Sequence, residues 1–431
     1  MSISELYQLF TSSKGISTDT RKIQNGSLFF ALKGPNFNAN LFAKQAIEQG
    51  ARAAVIDEIE FSIEGKTILV DSVLSTLQEL AKYHRNQLKS PVIAITGSNG
   101  KTTTKELTYS VLSSTFKTYF TQGNLNNHIG VPLTLLSIPT SAEMVVIELG
   151  ANHLNENKVL CEIAEPDYGI ITNNGKDHLE GYGSIEGVRK GNGEVYEFLK
   201  ARGAIAFVSA YQEDLILYSE GMERIIYGNH ENSIVKAEAM NSFPYLKAKF
   251  LFSDSETFKA QTQLVGKYNI ENILAAAAIG FHFKVSKEKI KNAIENYKPA
   301  NNRSQQQLKD GNSFILDAYN ANPSSMKLAL ENFAEFPVVN KIVVLGDMAE
   351  LGEYSDSEHD LILKQIKTLS LKEIWLVGNK FFKASFKYKN ENIRTFENVD
   401  ALKKYYQQQK ITGYYFLLKG SRVNKLEKML E

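Results

Sequence analysis

A glycine-rich segment that follows a short apolar run is the part of this sequence whose residue types point most directly to chemistry. It reads Thr96-Gly97-Ser98-Asn99-Gly100-Lys101-Thr102-Thr103. Its glycines allow a tight turn whose N–H groups face phosphate oxygens, and a following helix adds the positive end of its dipole. Lys101 would reach the β- and γ-phosphates, and Thr102 would offer its hydroxyl to Mg²⁺. The segment predicts a nucleotide site, and the alternative is a purely structural strand-to-helix turn.

Two further features refine this prediction. A standard phosphate loop has a glycine where this chain has Ile95, so the loop is a shortened form that disfavours a generic GTPase or kinase. Glu148 ends the apolar run that begins at Met144, where an acidic residue on a neighbouring strand can face the loop. We expect Glu148 to bind Mg²⁺ together with Thr102, and the alternative is a solvated carboxylate at a strand end.

Further blocks of sequence resemble the Mur ligase family of ATP-dependent amide-bond-forming enzymes, whose phosphate loop has the same short form. The block from Gly266 departs from the family pattern at one position, because Tyr268 stands where the family has His. The matching blocks occur along the whole chain: Ser17-Thr-Asp19-Thr-Arg21, Gly26-Ser-Leu-Phe-Phe-Ala-Leu-Lys-Gly34, Gly123-Asn124-Leu-Asn126-Asn127-His-Ile-Gly-Val-Pro132, Val146-Ile-Glu148-Leu-Gly150, Thr172-Asn-Asn-Gly-Lys-Asp-His178-Leu-Glu180, Gly266-Lys-Tyr268-Asn269-Ile-Glu-Asn272, Asp317-Ala-Tyr-Asn320-Ala-Asn322-Pro323, Leu345-Gly-Asp-Met-Ala-Glu-Leu-Gly352 and Leu418-Lys-Gly-Ser-Arg422.

The last three of these blocks are similar to the branch of the family that adds D-alanyl-D-alanine to UDP-N-acetylmuramoyl-tripeptide. The Asp-Asn-Pro-Arg type motif of the neighbouring branch is absent. The resemblance implies a peptidoglycan-precursor ligase that uses ATP and one or two Mg²⁺ ions and passes through an acyl phosphate. The alternatives are another Mur-type or folylpolyglutamate-type amide ligase and a non-catalytic ATP-binding module.

The resemblance also implies a role for individual residues. The catalytic set is Lys101, His178 and Glu148. The ATP-binding set is Gly97, Ser98, Asn99, Gly100, Lys101, Thr102, Thr103, Asn269, Asn272, Arg303 and Asp317. The UDP-substrate set is Thr18, Asp19, Thr20, Arg21, Asn124, Asn126 and Asn127. The dipeptide set is Asn320, Asn322 and Arg422, and the metal set is Thr102, Glu148, His178 and the further candidate Asn192.

The candidate Asn192 marks a second departure from the family. Many members have at this position a lysine that is held as a carbamate and binds the second metal ion. The asparagine amide oxygen can bind Mg²⁺ but does not bring a negative charge. Either Asn192 takes over, or Lys190 or Glu194 does, or the second metal site is weaker.

Several of the other candidates have a purely structural role as the alternative to ligand binding. Asn269 stands at a predicted helix start and is also a candidate helix cap. The three asparagines from Asn124 to Asn127 are also typical of a turn. Arg422 would pair with the carboxylate of the dipeptide or form an ordinary exposed ion pair.

Composition limits the function classes further. The chain has 431 residues, which suggests about three domains, and 49 basic against 48 acidic residues. This balance disfavours nucleic acid as a partner. No apolar run approaches the ~20 residues of a membrane span, and the N-terminal residues lack the pattern of a secretory signal. The one cysteine, Cys161, reads as a core residue. We expect a cytoplasmic monomer that acts on small molecules and is not inserted in a membrane.

The candidate residues must be positioned by strands and helices, which the sequence indicates as short apolar runs that alternate with helical patterns. The runs at 28–32, 53–56, 67–70, 91–95, 144–149, 169–172, 314–317, 341–345, 373–377 and 414–418 predict strands. Alternation of strands with helices predicts an α/β chain with mostly parallel sheets. We predict three domains: a small α/β UDP-binding domain (1–89), a central phosphate-loop ATPase domain with a parallel sheet and a β-hairpin extension (90–302), and a C-terminal Rossmann-like α/β domain (303–431) that binds the dipeptide and closes on ATP.

Overall fold

The computed structural model describes residues 1–240, 243–300, 302–388 and 392–431. Helices and strands alternate through these residues. The helices are α1 Ile3–Thr11, α2 Ala43–Glu48, α3 Val73–Arg85, α4 Lys101–Ser113, α5 Gly130–Leu136, α6 Glu156–Ala164, α7 Leu179–Tyr182, α8 Ile185–Arg202, α9 Glu213–Tyr218, α10 Ile270–His282, α11 Lys287–Asn296, α12 Pro323–Ala334, α13 Ser355–Ile366, α14 Asn379–Ser385 and α15 Val399–Gln409.

Each of the ten apolar runs predicted as strands overlaps a strand of the structure, and the other strands lie outside these runs. The strands are β1 Ile16–Ser17, β2 Leu28–Phe30, β3 Lys33–Gly34, β4 Phe37–Asn38, β5 Ala53–Ile56, β6 Thr67–Leu69, β7 Val92–Thr96, β8 Thr118–Phe120, β9 Met144–Glu148, β10 Tyr168–Ile171, β11 Ile205–Ser209, β12 Arg224–Tyr227, β13 Val235–Met240, β14 Tyr245–Phe252, β15 Thr257–Val265, β16 Gln305–Lys309, β17 Asn312–Asp317, β18 Lys341–Gly346, β19 Glu373–Val377, β20 Ile393–Phe396 and β21 Tyr415–Lys419.

Contacts group these elements into two compact units, each described by itself below. The first unit consists of Met1–Ile95, Phe116–Ala151 and Asn155–Gly169, and the second of Thr96–Thr115, Asn152–Leu154 and Ile170–Glu431. The α/β class, with several domains and parallel sheets, is confirmed. The division into three domains, with boundaries at 89 and 302, stays a prediction.

The first unit contains two sets of parallel strands. β1, β2, β5 and β6 pair in parallel in that order, and apolar side chains between them and α2 form a core. In the second set, β9 lies between β7 and β8 and is parallel to both. The register places Glu148 opposite Ile95, the residue two positions before Gly97. Cys161 is fully buried, as expected for a core residue.

The second unit contains an antiparallel sheet and a mostly parallel one. The predicted hairpin of β14 and β15 is confirmed, and β13 extends it to three strands. The parallel sheet has the order β16-β17-β21-β18-β19-β20, and only the pair of β16 and β17 is antiparallel. Apolar clusters lie on both faces of this sheet, and Trp375 is fully buried in one of them. In the part of the chain described, no helix is long and apolar enough to cross a membrane.

A buried histidine joins three segments of the first unit. His84 on α3 is 4% exposed. The hydroxyl of Tyr7 on α1 lies 3.0 Å from its Nδ1, and the carbonyl oxygen of Ile138 lies 2.7 Å from its Nε2. A neutral ring satisfies both contacts by accepting at Nδ1 and donating at Nε2. Burial lowers the pKa of His84 below its ordinary value, because the charged ring would lose hydration.

The lowered pKa of His84 predicts loss of stability in acid. The unfolded chain binds the proton at higher pH than the folded chain, so this contribution is complete above about pH 6.5 and declines as the pH falls below it. We expect the melting temperature to fall between pH 7.5 and pH 5. His84→Gln should flatten this dependence, and the exposed His128→Gln should leave it unchanged. An unaltered slope in His84→Gln would show that His84 is not responsible.

Candidate functional site

The glycine-rich segment has the conformation that a phosphate loop requires. Gly97 follows β7 with φ +124°, and Gly100 precedes α4 with φ +83°. A Cβ atom at Gly97 would lie 2.3 Å from the hydroxyl oxygen of Thr172, and one at Gly100 would lie 2.4 Å from Oδ1 of Asn272. Only glycine fits both the left-handed conformation and the close approach. The loop therefore ends at the N-terminus of a helix, as predicted from the sequence.

Hydrogen bonds fix this loop to the segment after β10. The main-chain N–H of Ser98 donates to the carbonyl oxygen of Asn173 (2.9 Å), and that of Asn99 donates to Asn173 Oδ1 (3.1 Å). The hydroxyl of Ser98 donates to the buried carboxylate of Asp177 and accepts from the N–H of Gly175 at 2.8 Å. These bonds hold the loop in one conformation, and a preorganised loop lowers the entropic cost of binding.

Lys101, Thr102 and Thr103 form the first turn of α4. The ammonium of Lys101 donates to the carbonyl oxygens of Gly97 and Ser98 in the same loop. The side chains of Thr102 and Thr103 are 6% and 7% exposed. The predicted phosphate-binding lysine therefore lies over the loop that it would serve, and the threonine hydroxyls are close to the protein core.

In the first unit, Glu148 is buried at the end of β9. It is 2% exposed, its Oε1 accepts from Asn126 Nδ2 at 2.8 Å, and its main-chain N–H donates to the hydroxyl of Thr121 at 2.9 Å. The alternative of a solvated carboxylate is therefore wrong. A buried carboxylate that is held by an amide is a suitable ligand for a metal ion.

The three candidate asparagines of the first unit have different environments. Asn126 contacts Glu148, whereas Asn127 Oδ1 accepts from the N–H groups of Ile129 and Gly130, at 3.1 and 2.9 Å. Asn124 is exposed. For Asn127 the structure thus favours the turn alternative, whereas Asn126 supports the Glu148 carboxylate and its contact with the UDP substrate stays a prediction.

The candidates near the N-terminus are arranged around an ion pair. Asp19 accepts from the main-chain N–H of Arg21 at 3.0 Å and from its guanidinium at 2.8 Å. These hydrogen bonds lower the pKa of Asp19 to about 2. Arg21 is 87% exposed, so its planar donors stay accessible to an anion. Thr18 and Thr20 flank Asp19 and are half-buried.

His178 in the second unit contacts a residue that the sequence analysis did not select. Its Nδ1 lies 2.7 Å from Oε2 of Glu350. The close contact with the His178 imidazole lowers the pKa of Glu350 against the opposite effect of burial, and the charge of Lys101 adds to the lowering. Glu350 lies in the block from Leu345 to Gly352, so the block match was the signal that could have found it.

Asn192 lies on the buried face of α8. Its Nδ2 donates to Asn174 Oδ1 at 2.8 Å, and Asn174 Nδ2 donates to Asp214 at 2.8 Å. Glu194 is also buried, whereas Lys190 is exposed. The helix thus sets the exposed Lys190 apart from the buried Asn192 and Glu194, and it places Asn192 beside the 172–178 block.

Asn269 and Asn272 both bond to the protein itself. Asn269 Nδ2 donates to the carbonyl oxygen of Val265 (2.9 Å) and to the hydroxyl of Ser304 (3.1 Å). Asn272 Nδ2 donates to Asn269 Oδ1 at 2.9 Å, and Asn272 Oδ1 accepts from Thr104 at 3.1 Å. The side chain of Asn269 makes no helix-capping bond. These amides join the start of α10 to α4, and their contact with adenine stays a prediction.

Asp317 and Arg303 of the C-terminal segment also have protein partners. Asp317 accepts from Lys419 at 2.7 Å, and Lys419 is 2% exposed, so this is a buried ion pair. The guanidinium of Arg303 lies 3.7 Å from the ring centre of Tyr319. Lys419 and Tyr319 are further residues that the sequence analysis missed, although both lie within blocks that it identified.

The three dipeptide candidates differ in their exposure. Asn322 caps α12 by accepting from Ser325 N at 2.8 Å, and its Nδ2 donates to Asn99 Oδ1 of the phosphate loop at 2.9 Å. Asn320 Oδ1 accepts from the N–H of Ala321. Arg422 is 63% exposed and lies 3.4 Å from Glu427, the ordinary ion pair named as its alternative. Of the three, Asn322 lies beside the loop.

The candidate metal ligands differ in the donor atoms that they offer. Among the described residues, no group of three or more His, Cys, Asp and Glu side chains is arranged to hold a metal ion. Mg²⁺ commonly needs only one or two protein carboxylates, because waters and substrate phosphates complete its shell. The second unit offers the hydroxyl of Thr102 and the amide oxygen of Asn192, and the first unit offers the carboxylate of Glu148. Each of these is an oxygen donor of the type that Mg²⁺ prefers, whereas the imidazole of His178 offers nitrogen.

Comparisons with known proteins give a consistent family. A model described as Mur ligase family, catalytic domain, matches residues 12–92. A second, Mur ligase middle domain, matches residues 95–280, and a third, Mur ligase, glutamate ligase domain, matches residues 302–422. Together the three cover most of the chain.

Individual relatives agree with these matches. The UDP-N-acetylmuramoyl-tripeptide--D-alanyl-D-alanine ligase of Bacillus subtilis strain 168 is 35% identical over 349 residues, which is 80% of this chain and 76% of the relative. The crystal structure of MurF from Acinetobacter baumannii superposes with a TM-score of 0.87 at 28% identity and covers 98% of this chain and 97% of its own. MurF ligase from Thermotoga maritima in complex with ADP superposes with a TM-score of 0.86 at 25% identity, with 98% and 97% covered.

The crowding at Gly100 predicts that this residue controls nucleotide binding. An alanine methyl would meet Asn272 Oδ1, and overpacking of this kind costs about 1–3 kcal/mol. We expect Gly100→Ala to weaken ATP binding by about tenfold or more, measured by calorimetric titration. Gly203→Ala is the matched control, since Gly203 has φ +65° but no described atom within 4 Å of the added methyl. Equal affinities in the two variants would contradict the assigned role of the loop.

Proposed function

The chain belongs to the Mur ligase family, and we propose that it joins D-alanyl-D-alanine to the tripeptide carboxylate of UDP-N-acetylmuramoyl-tripeptide at the expense of ATP. The observation that carries this proposal is the coverage of the chain by relatives of that activity, at up to 35% identity. The blocks from Asp317, Leu345 and Leu418, by which the sequence indicated the same branch, support it.

The proposed reaction has two steps. A carboxylate oxygen of the tripeptide attacks the γ-phosphorus of ATP, and the bond from this phosphorus to the β,γ-bridging oxygen breaks. ADP departs, and the tripeptide now carries an acyl phosphate. The amine of D-alanyl-D-alanine then attacks the acyl carbon, loses a proton, and expels inorganic phosphate as the amide forms. The acyl phosphate is required because a carboxylate oxygen is a poor leaving group until it carries phosphate.

The phosphate loop contributes charge and alignment to the first step. Both reactants are anions, so their approach must be offset by positive groups. The N-terminus of α4 would face the phosphates, and the Lys101 ammonium, which donates to the carbonyl oxygens of Gly97 and Ser98, would supply a cation. The N–H groups of Ser98 and Asn99 donate to Asn173, and these bonds hold the loop in one conformation.

We assign Mg²⁺ to the hydroxyl of Thr102, the carboxylate of Glu148 and the imidazole of His178, with Asn192 as a further ligand. Bound Mg²⁺ would neutralise phosphate charge and polarise the phosphorus–oxygen bonds. Glu148 belongs to the first unit and the other residues to the second. Their common role therefore rests on the family resemblance, together with the oxygen donors of Thr102, Glu148 and Asn192.

The remaining candidates are assigned to the ends of the substrates. Arg21, with its exposed guanidinium, suits the diphosphate of the UDP substrate, and Thr18, Asp19 and Thr20 complete that set. Arg303 and Asp317 are assigned to the nucleotide, and Asn320, Asn322 and Arg422 to the dipeptide. We place the reaction in the cytoplasm with a monomeric enzyme, and the mass measured by light scattering tests the oligomeric state.

An assay of ADP release tests the function directly. We expect turnover only when ATP, Mg²⁺, UDP-N-acetylmuramoyl-tripeptide and D-alanyl-D-alanine are all present. Lys101→Ala should reduce kcat by about a hundredfold or more, because it removes a cation from the transferring phosphoryl group. Turnover with a single amino acid in place of the dipeptide would indicate another branch of the family. ATP binding without turnover in the wild type would indicate a non-catalytic module.

The buried position of Asn192 predicts that this residue, and not Lys190, contributes to Mg²⁺ binding. Asn192→Ala should raise the Mg²⁺ concentration for half-maximal activity by about tenfold to a hundredfold, the usual effect of losing a residue that orients a metal site. Lys190→Ala is the matched control, because Lys190 lies on the exposed face of the same helix. A large loss in Lys190→Ala with normal activity in Asn192→Ala would reverse the assignment.

A further inference from the structure

The contact between His178 and Glu350 joins two distant parts of the second unit. Nδ1 of His178 and Oε2 of Glu350 are 2.7 Å apart, with the two side chains 17% and 51% exposed. Both residues have left-handed backbone conformations, with φ of +47° and +60°. Residues other than glycine and asparagine rarely adopt this backbone conformation, so the surrounding structure must hold both residues in place.

The backbones around the pair are held together on one side. The N–H of Glu180 donates to the carbonyl oxygen of Glu350 at 3.1 Å. Leu179 and Tyr182 of α7 share one buried cluster with Met348 and Leu351, which flank Glu350. These contacts do not involve the Glu350 carboxylate, so a substitution of that side chain leaves them intact.

The segment that carries Glu350 is also anchored on its far side. Nε2 of His359, which is fully buried, accepts from the N–H of Met348 at 3.0 Å, and its Nδ1 lies 2.6 Å from the carbonyl oxygen of Ser355. Both carboxylate oxygens of Asp347 accept main-chain N–H groups at the start of α14, each at 2.9 Å. Glu350 is therefore presented to His178 by a rigid segment.

We propose that Glu350 is a positioning residue that holds the Nδ1–H of His178, so that Nε2 is the nitrogen presented to the metal and the acyl phosphate. The partner of one ring nitrogen determines which nitrogen stays available as a ligand. This inference rests on the reaction proposed above. It adds that the segment 346–352 sets the tautomer and direction of His178.

Glu350→Ala and Glu350→Gln test the inference, with Glu353→Ala as the control on an exposed residue of the same segment. ¹⁵N NMR of the imidazole rings reports the tautomer of His178, and His178→Gln identifies its signals among the seven histidines. Mn²⁺ titration in the presence of a non-hydrolysable ATP analogue reports metal affinity. Steady-state assays report kcat and KM, and thermal melting reports folding.

We expect Glu350→Ala to remove the preference of His178 for the tautomer protonated at Nδ1. Mn²⁺ affinity and kcat should each fall by about tenfold to a hundredfold, with little change in KM for the dipeptide. Glu350→Gln should retain more of both, because its amide oxygen still accepts a hydrogen bond. An unchanged tautomer and metal affinity in Glu350→Ala would overturn the inference, as would losses fully explained by reduced melting temperature. If the wild type shows no ligase activity, the proposed function fails, while the NMR result still decides the role of Glu350.

Discussion

The absence of side chains at Gly97 and Gly100 allows the backbone contacts on which the candidate site depends. The loop lies directly against Thr172 on one side and Asn272 on the other, at distances that leave no room for a methyl group. Because the main chain itself forms the contact, its N–H groups keep a fixed direction. The residues that contact the loop are short and polar. Such side chains can pack closely against the main chain and also form hydrogen bonds with its N–H and carbonyl groups.

The loop also organises residues far along the chain. Asn99 contacts Asn173 through its main chain and Asn322 through its side chain, while Lys176 reaches Glu358 at 2.6 Å. These bonds connect the 172–178 block to α12 and α13 of the C-terminal segment. Several of the residues proposed to bind substrates or nucleotide therefore also stabilise the fold. A variant of such a residue can lose activity because it loses stability, so both quantities must be measured.

Much of the architecture could be predicted from the sequence, because strands and helices of an α/β chain leave distinct apolar periods. β18 and β19 were predicted as continuous apolar runs and are buried on both faces. β16 was missed because Gln305-Gln-Gln-Leu-Lys is mostly polar, and it forms an antiparallel edge strand on β17.

The tight turn at Gly97–Gly100 between β7 and α4 follows from residues within a few positions of one another, so the local sequence was sufficient to predict it. The caps at Ser72 and Asn322 were not predicted, although they are equally local, because their hydroxyl and amide oxygens bond to groups three residues away. The partners of the reactive groups were not predictable in this way. Asn99 and Asn322 are 223 positions apart and Asp317 and Lys419 are 102 positions apart, so folding alone brings them together. The contact of His178 with Glu350 and the burial of Asn192 likewise depend on how helices and strands pack, because packing selects one among several faces that the sequence allows.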